Sequence, residues 1–348
     1  MDIKKRRIGK TNLEVTELSM GTAPIGGWPV AVDYIDAQET LNEAWQKGIR
    51  YFDTAPLYGS GMAEQRLGDF LKNKNREDFA VATKVGRLVV DTDVINNKFQ
   101  GQDPNKDTIF DFTYDGAMRS FEQSLKRMQL DKIDVLHLHD PDNYPEHLDQ
   151  AKKGAIKAMI KLKEENVVKA IGCGLNQNEM LVDLAKEGYF DCFLLAGRYT
   201  LLDQSSLDEL IPLCAANNIS LLLGGVFNSG ILIDPSPKTY FDYTLLDENW
   251  LKNAIKNLVR KPKSFESSNY WLNKAYKLKE LCNSFDYSLK KVAIQFPYTN
   301  NVVATAILGM GSVKEVRENF NDYENKISPE FWKIIKDENL IDHRVLID

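Results

Sequence analysis

The sequence predicts a (β/α)8 (TIM) barrel with a short N-terminal β-hairpin and a C-terminal helix, and three observations carry that prediction. Short strand-like runs alternate eight times with amphipathic helical patterns. Runs such as Leu221-Leu222-Leu223 are apolar throughout, as in a parallel sheet covered on both faces. No G-x-G-x-x-G follows the first strand, because Gly21-Thr-Ala-Pro-Ile-Gly26-Gly27 has the wrong spacing. That counts against the competing architecture, an open doubly wound sheet.

Residues 6–15 read as two short strands around Gly9-Lys10-Thr11-Asn12. The alternation then begins with a strand at 18–22. A helix follows at 36–47, with Ala37, Leu41, Ala44 and Trp45 at helical spacing and Gly48 as its stop. Next come strand 50–54 with helix 62–71, and strand 79–84 with helix 115–128, which carries Phe121, Leu125 and Met128 on one face. Strand 133–137 leads to helix 147–164. The second half continues with strand 168–173 and helix 178–187, then strand 192–195 and helix 207–217. Strand 220–223 and helix 267–285 follow, then strand 303–308 and helix 313–320. An amphipathic segment at 329–336 closes the chain, so a single domain over 1–348 is expected.

Two connections are too long to be turns, residues 86–113 and 230–267. Both should lie on the face where barrels build their sites. There Phe99, Phe110, Tyr240, Phe241, Tyr243 and Trp250 either line a substrate pocket or pad the rim. Gly309-Met-Gly311-Ser-Val-Lys314, after the last strand, fits the phosphate site that barrels make from late loops and a helix N-terminus.

Hydrophobic residues are 43% of the chain and charged residues 27%, within the range of globular proteins. A net charge of −6 argues against nucleic acid or an anionic membrane as partner. The basic run Lys4–Arg7 precedes Ile8-Gly9-Lys10, not an apolar stretch, so no signal peptide is expected. Nor does any apolar run reach the length of a membrane span. The four cysteines lack metal-ligand spacing and read as reduced core thiols. A cytoplasmic protein, monomeric or a small homo-oligomer, is the expectation.

The chemistry gathers around Asp53-Thr-Ala-Pro-Leu-Tyr58, where an acid ends one strand and a tyrosine follows in the next turn. Lys84 ends the next strand and His139 lies just past the apolar part of the one after. In a parallel barrel these ends converge on one rim. A free phenol, with a pKa of about 10, is a poor acid or base at neutral pH. An ammonium beside it lowers that value, and a buried lysine needs an anion to stay charged. Lys84 with Asp53 supplies both, and His139 can align a substrate oxygen. Such a group moves a proton on and off a carbonyl or hydroxyl oxygen without a nucleophile or a metal. Hydride exchange with a nicotinamide is the natural accompanying event.

His137-Leu138-His139 also has the H-x-H form with which some barrel hydrolases hold a divalent ion. The only other histidines are His147 and His343, neither placed to complete such a site, so no metal is expected. His137 should instead face the core with its hydrogen bonds satisfied. Trp28, after the first strand, is a candidate pocket wall.

Phe52-Asp-Thr-Ala-Pro-Leu-Tyr-Gly59, with the placements of Lys84 and His139, resembles the aldo-keto reductase superfamily over essentially the whole chain. Four further segments resemble one branch of it: Leu138–Asp142, Ile171–Asn176, Leu195–Leu202 and Gly224–Leu232. That branch holds the D-threo-aldose (L-fucose) 1-dehydrogenases, with pyridoxal 4-dehydrogenase as a relative. The resemblance implies a catalytic tetrad of Asp53, Tyr58, Lys84 and His139. Trp28, Tyr58 and His139 would meet the substrate, a small sugar or aldehyde.

It also implies a dinucleotide held by Gly21, Thr22 and Asp53 beside the nicotinamide, with Asn176 on the carboxamide. Arg198 stands near the position where many members use a glutamine. Val226, Phe227, Asn228 and Ser229 would wrap the pyrophosphate, and Gly309, Ser312 and Asn319 would hold the adenosine end. Many NADP-preferring members carry Lys or Arg where this chain has Gly311, so NAD is the expected preference over NADP, with Lys314 and Arg317 as nearby cations. The activity implied is oxidation of an aldose at its anomeric carbon. Aldehyde reduction and pyridoxal oxidation compete with it, as does a cofactor-binding regulatory subunit.

Overall fold

The computed structural model describes residues 3–94, 99–236 and 268–347. The chain opens with an antiparallel hairpin of β1 (Lys5–Arg7) and β2 (Glu14–Thr16). Three strands follow, β3 (Leu18–Gly21), β4 (Tyr51–Asp53) and β5 (Ala80–Val85). A second antiparallel hairpin, β6 (Arg87–Asp91) with β7 (Lys106–Phe110), then interrupts the alternation. The remaining strands are β8 (Val135–His139), β9 (Ala170–Leu175), β10 (Cys192–Ala196), β11 (Ser220–Gly224) and β12 (Val303–Gly309).

β3, β4, β5 and β8 to β12 form a closed barrel in sequence order, every neighbouring pair parallel. This is the (β/α)8 barrel that the alternation predicts. One set of alternating side chains points inward, among them Tyr51, Ala82, Val135, Ala170, Cys192 and Leu222. The other set packs against the helices as the main core. All four cysteines are buried and free.

The first hairpin plugs the barrel floor. Ile8, Leu13 and Val15 join the inward-facing cluster, and Ile8 is wholly buried. Burial of one such side chain stabilises the fold by about 2 kcal/mol. Glu17 fastens the plug: its carboxylate accepts from Arg6 Nε and, at 2.8 Å, from the Tyr323 hydroxyl. Its carbonyl accepts from Tyr298 and Thr305. Glu17 thus joins hairpin, last strand and a late helix (Val313–Glu324) in one buried node.

Three local features depart from the sequence expectations. The long connection after β5 contains the β6–β7 hairpin, whose Arg87 carbonyl accepts from Ser120 of the helix Tyr114–Met128 at 2.8 Å. The helix expected at 147–164 is two, Pro145–Lys153 and Ala155–Glu164, split at Gly154. A Cβ on Gly154 would lie 2.6 Å from the Tyr114 nitrogen and 2.7 Å from the Phe112 carbonyl oxygen. Only a residue without one lets this corner dock, and Ala155 N–H then donates to that carbonyl at 2.9 Å. A short helix, Leu289–Gln295, was not anticipated; Ser288 caps it by accepting from Lys291 N–H. Tyr240, Phe241, Tyr243 and Trp250 fall outside the described residues.

Candidate active site

Strand register brings the polar groups together. Asp53 ends β4 opposite Ala82, two residues before Lys84 on the same face of β5. Lys84 in turn lies opposite His137 on β8, and His139 is the next inward residue towards the rim. The turn after β4 then lays the partly exposed Tyr58 ring over them.

The Lys84 ammonium is the centre of the cluster. It donates to Asp53 Oδ1 at 2.7 Å and to the Thr54 carbonyl at 2.8 Å, and lies 3.4 Å from the Tyr58 hydroxyl. Lys84 is 1% exposed. The His139 ring meets the Tyr58 ring edge-on with centroids 6.2 Å apart. Asp53, Tyr58, Lys84 and His139 therefore form one constellation at the C-terminal rim of the barrel.

Burial opposes the Lys84 charge, but Asp53 and then Tyr58 outweigh it and hold the ammonium above its ordinary pKa. Burial lifts the Asp53 carboxyl, and Lys84 draws it back. The short contact and the three oxygens around Nζ favour a charged pair. For Tyr58, burial raises the phenol above its ordinary value of 10.0 and Lys84 offsets only part of that rise. This corrects the expectation of a net lowering: desolvation of the phenolate outweighs one ammonium at 3.4 Å. A neutral phenol next to a fixed cation is a proton donor; it accepts a proton only at a higher pH.

His137 is also corrected. It is wholly buried, but neither ring nitrogen has a hydrogen-bond partner among the described residues. Burial, then Lys84 and His139, push its pKa far down, so the imidazole is neutral. Gly172 on the neighbouring strand makes room for it, since a Cβ there would stand 2.5 Å from His137 Nδ1. Among the described residues no three metal-ligating side chains cluster.

The residues expected around a dinucleotide divide into two kinds. Some are committed inside the protein. Thr22 is fully buried and its hydroxyl donates to the Asp53 carbonyl at 3.0 Å, so it braces Asp53. The Asn228 side chain accepts from Thr200 and donates to the Gly197 carbonyl, and its own N–H donates to Gly225, so it shapes its loop. Val226 is buried and Phe227 packs on the core. Others face outward at the rim: Gly21 is partly exposed, Asn176 and Gly309 exposed. Ser229 is exposed with a left-handed backbone (φ 57°). Arg198 Nε donates to the Asn176 carbonyl at 2.9 Å, and Arg198 also pairs with Asp203. Ser312 caps the helix Val313–Glu324, and Asn319 on that helix is 2% exposed.

Trp28 is 42% exposed and packs against Phe99, with centroids 5.8 Å apart. Gln100 N–H donates to the Gly27 carbonyl, so the loop between β6 and β7 reaches across to the first loop of the barrel. At its other end Phe110 packs on Phe112 and His147. A wide groove of about 900 Å3 lies at the opposite end of the barrel, lined by Lys10, Glu14 and Asp191 among others, and none of the four groups borders it.

Sequence reasoning missed Arg87, Gln177 and Glu315. Arg87 Nη2 lies 3.2 Å from Asp140 Oδ2, Gln177 donates to Asp142 at 2.8 Å, and Glu315 accepts from Gly311 N–H at 2.6 Å. The first two pairs span 53 and 35 residues, with no local signal to join them. Glu315 was legible, three residues after a Ser cap.

Three curated relatives match along most of their length. Pyridoxal 4-dehydrogenase of Microbacterium luteolum is 34% identical, covering 97% of this chain and 98% of its own. D-threo-aldose 1-dehydrogenase of a Pseudomonas species is 35% identical, over 94% and 95%. L-galactose dehydrogenase of Arabidopsis thaliana is 30% identical, over 91% and 87%. Among solved structures, the holo form of an aldo-keto reductase from Bacillus halodurans superposes with a TM-score of 0.72 at 23% identity, covering 99% of this chain and 98% of that one, a likeness of fold. The family model described as "Aldo/keto reductase family" matches residues 17–339, and with these relatives it makes the chain an oxidoreductase of the aldo/keto reductase family.

Proposed function

We propose that this protein is an NAD(P)-dependent aldose 1-dehydrogenase, oxidising the anomeric carbon of a sugar such as L-fucose to the lactone. The observation that carries it is the buried ammonium of Lys84, bonded to Asp53 and set 3.4 Å from the Tyr58 hydroxyl, with His139 alongside. The substrate class rests on the likeness to D-threo-aldose and L-galactose dehydrogenases. The likeness to pyridoxal 4-dehydrogenase keeps pyridoxal in view.

The chain's own residues fit a dinucleotide. The buried Asn319 Oδ1 has no hydrogen-bond partner among the described residues, as expected of an acceptor kept for a ligand's donor. Asn176 and Ser229 offer polar groups at the rim. Bound there, the nicotinamide would take the C1 hydride in oxidation and return it in reduction. His139 aligns the anomeric hydroxyl, and Tyr58 takes its proton as the C1–H bond breaks. Lys84 stabilises the phenolate and Asp53 holds Lys84 charged. In reduction Tyr58 gives the proton back to the carbonyl oxygen. Direction follows the cofactor ratio.

NAD is the preferred cofactor in this reading. Arg317 is held by Glu43 in two contacts of 2.9 and 3.0 Å, and Glu315 places a carboxylate on Gly311 N–H. A ribose 2′-phosphate at Gly311 would meet that carboxylate instead of a cation.

A screen of L-fucose, L-galactose, D-arabinose and pyridoxal with NAD and NADP, followed at the nicotinamide absorbance, tests the proposal. Tyr58→Phe should abolish turnover while NADH binding persists. Turnover of pyridoxal alone would replace the substrate, and binding without turnover of any of them would leave a regulatory subunit.

A further inference from the structure

One group at the rim has no part in the proton relay. Asp140 follows His139 directly and adopts a left-handed backbone (φ 48°). Its N–H donates to the Gly174 carbonyl and its own carbonyl accepts from Asn143, so the turn is fixed on both sides. Its Oδ2 lies 3.2 Å from Arg87 Nη2 and 3.5 Å from His139 Nε2. Arg87 is itself rigid. Its side chain is 8% exposed, its guanidinium lies 4.0 Å from the Phe110 ring centre, and its carbonyl accepts from Ser120. Its Nε is buried and has no acceptor among the described residues. The nearby Asp142 is committed to Gln177. Asp140 is therefore a carboxylate clamped beside the histidine that would face the reacting oxygen.

We propose that Asp140, positioned by Arg87, is a specificity-determining residue that accepts a hydrogen bond from the substrate hydroxyl on the carbon next to the reacting one. The inference rests on the aldose reading and deepens it. Adjacent hydroxyls of a sugar are separated by about the length of a hydrogen bond (about 2.8 Å). An oxygen bound to His139 Nε2 therefore puts its neighbour within reach of a carboxylate 3.5 Å from that nitrogen. A hydroxyl bound to a carboxylate makes a charge-assisted contact. An analogue without that hydroxyl forfeits this contact while the carboxylate stays fixed on Arg87, and a site built to bond a substrate hydroxyl discriminates against the analogue lacking it. The pair thus selects α-hydroxylated substrates over plain aldehydes.

The test pairs each of L-fucose, L-galactose and D-arabinose with its 2-deoxy counterpart, in wild type and in Asp140→Gly, a change the left-handed backbone tolerates. Wild type should favour the parent sugar by about 100-fold in kcat/KM, and Asp140→Gly should reduce that ratio to about fivefold or less. NADH binding, titrated by protein fluorescence, reports that the variant folds. Should it not, Asp140→Asn replaces it, with the ratio expected to fall about tenfold. If the variant slows both sugars of a pair equally, Asp140 only orients His139 and the inference is overturned. If wild type oxidises none of the three sugars, the aldose reading fails and takes the inference with it. Sugar oxidation with an unchanged ratio overturns this inference alone.

Discussion

The Lys84 ammonium stands 3.4 Å from the Tyr58 hydroxyl and 4.8 Å from the centre of its ring, so one buried cation serves both the phenol's oxygen and its face. Burial still leaves the phenol above its ordinary pKa. Proton donation is therefore available throughout the neutral range, whereas proton acceptance grows as pH rises towards the phenol's value. Oxidation should accelerate as pH rises through the alkaline range, and reduction should fall only as pH nears the phenol's raised value. In Lys84→Met the phenol loses the group that pulls its pKa down, and the alkaline limb of oxidation should move to higher pH. Profiles of kcat/KM in both directions measure this; an unmoved limb would show that Lys84 does not act on Tyr58.

Cofactor choice should follow the carboxylate at the last loop. NADH is expected to bind at least about tenfold more tightly than NADPH, as loss of a charge-assisted phosphate contact implies. Glu315→Lys puts a cation in its place and should bring the two Kd values together. Fluorescence titration of each dinucleotide decides it, and a hundredfold NADPH preference in wild type would overturn the assignment.

Glu17 should make stability depend on acid. Burial pushes its carboxyl up, but the hydrogen bonds from Arg6 and Tyr323 and the two nearby cations bring it below its ordinary 4.5. Its contribution is thus complete above that value and disappears as pH falls through the lower folded one. Glu17→Gln should cost about 2 kcal/mol at pH 7, and the gap should close at an acid pH below the lowered folded value. Urea midpoints at the two pH values measure it. A gap independent of pH would mean that packing, not charge, fastens the hairpin.

His137→Leu should leave stability unchanged or raise it slightly, because the imidazole is buried without partners for either nitrogen among the described residues. Replacing an unsatisfied polar group with an apolar one of similar size removes a desolvation cost of about 1–3 kcal/mol. A thermal melt settles it; a loss of several degrees would reveal a hidden hydrogen bond.

The barrel was legible because each unit wrote its own period: Leu221–Leu223 is apolar throughout, whereas Ala37, Leu41 and Ala44 recur at helical spacing. The four groups of the site were legible because barrel topology sends strand ends to one rim, so Asp53, Lys84 and His139 needed no long-range contact to be inferred. What escaped was whatever depends on contacts between distant segments. The β6–β7 hairpin has no tight turn to announce it, since its strands are fourteen residues apart, 92–105. The split at Gly154 depends on Phe112 and Tyr114, some forty residues earlier. The sign of the Tyr58 shift turned on depth of burial, which spacing alone does not give. Ser288 could have revealed the helix it caps, as a polar residue just before Leu289 whose hydroxyl accepts from the Lys291 N–H three residues on.

The floor plug has a practical corollary. Its tip, Gly9-Lys10-Thr11, lies at the far end of the barrel from Tyr58, and every native thiol is buried. A Lys10→Cys change would therefore offer a single reactive handle, and coupling through it would fix the molecules on an electrode or bead with their mouths all turned to the solution.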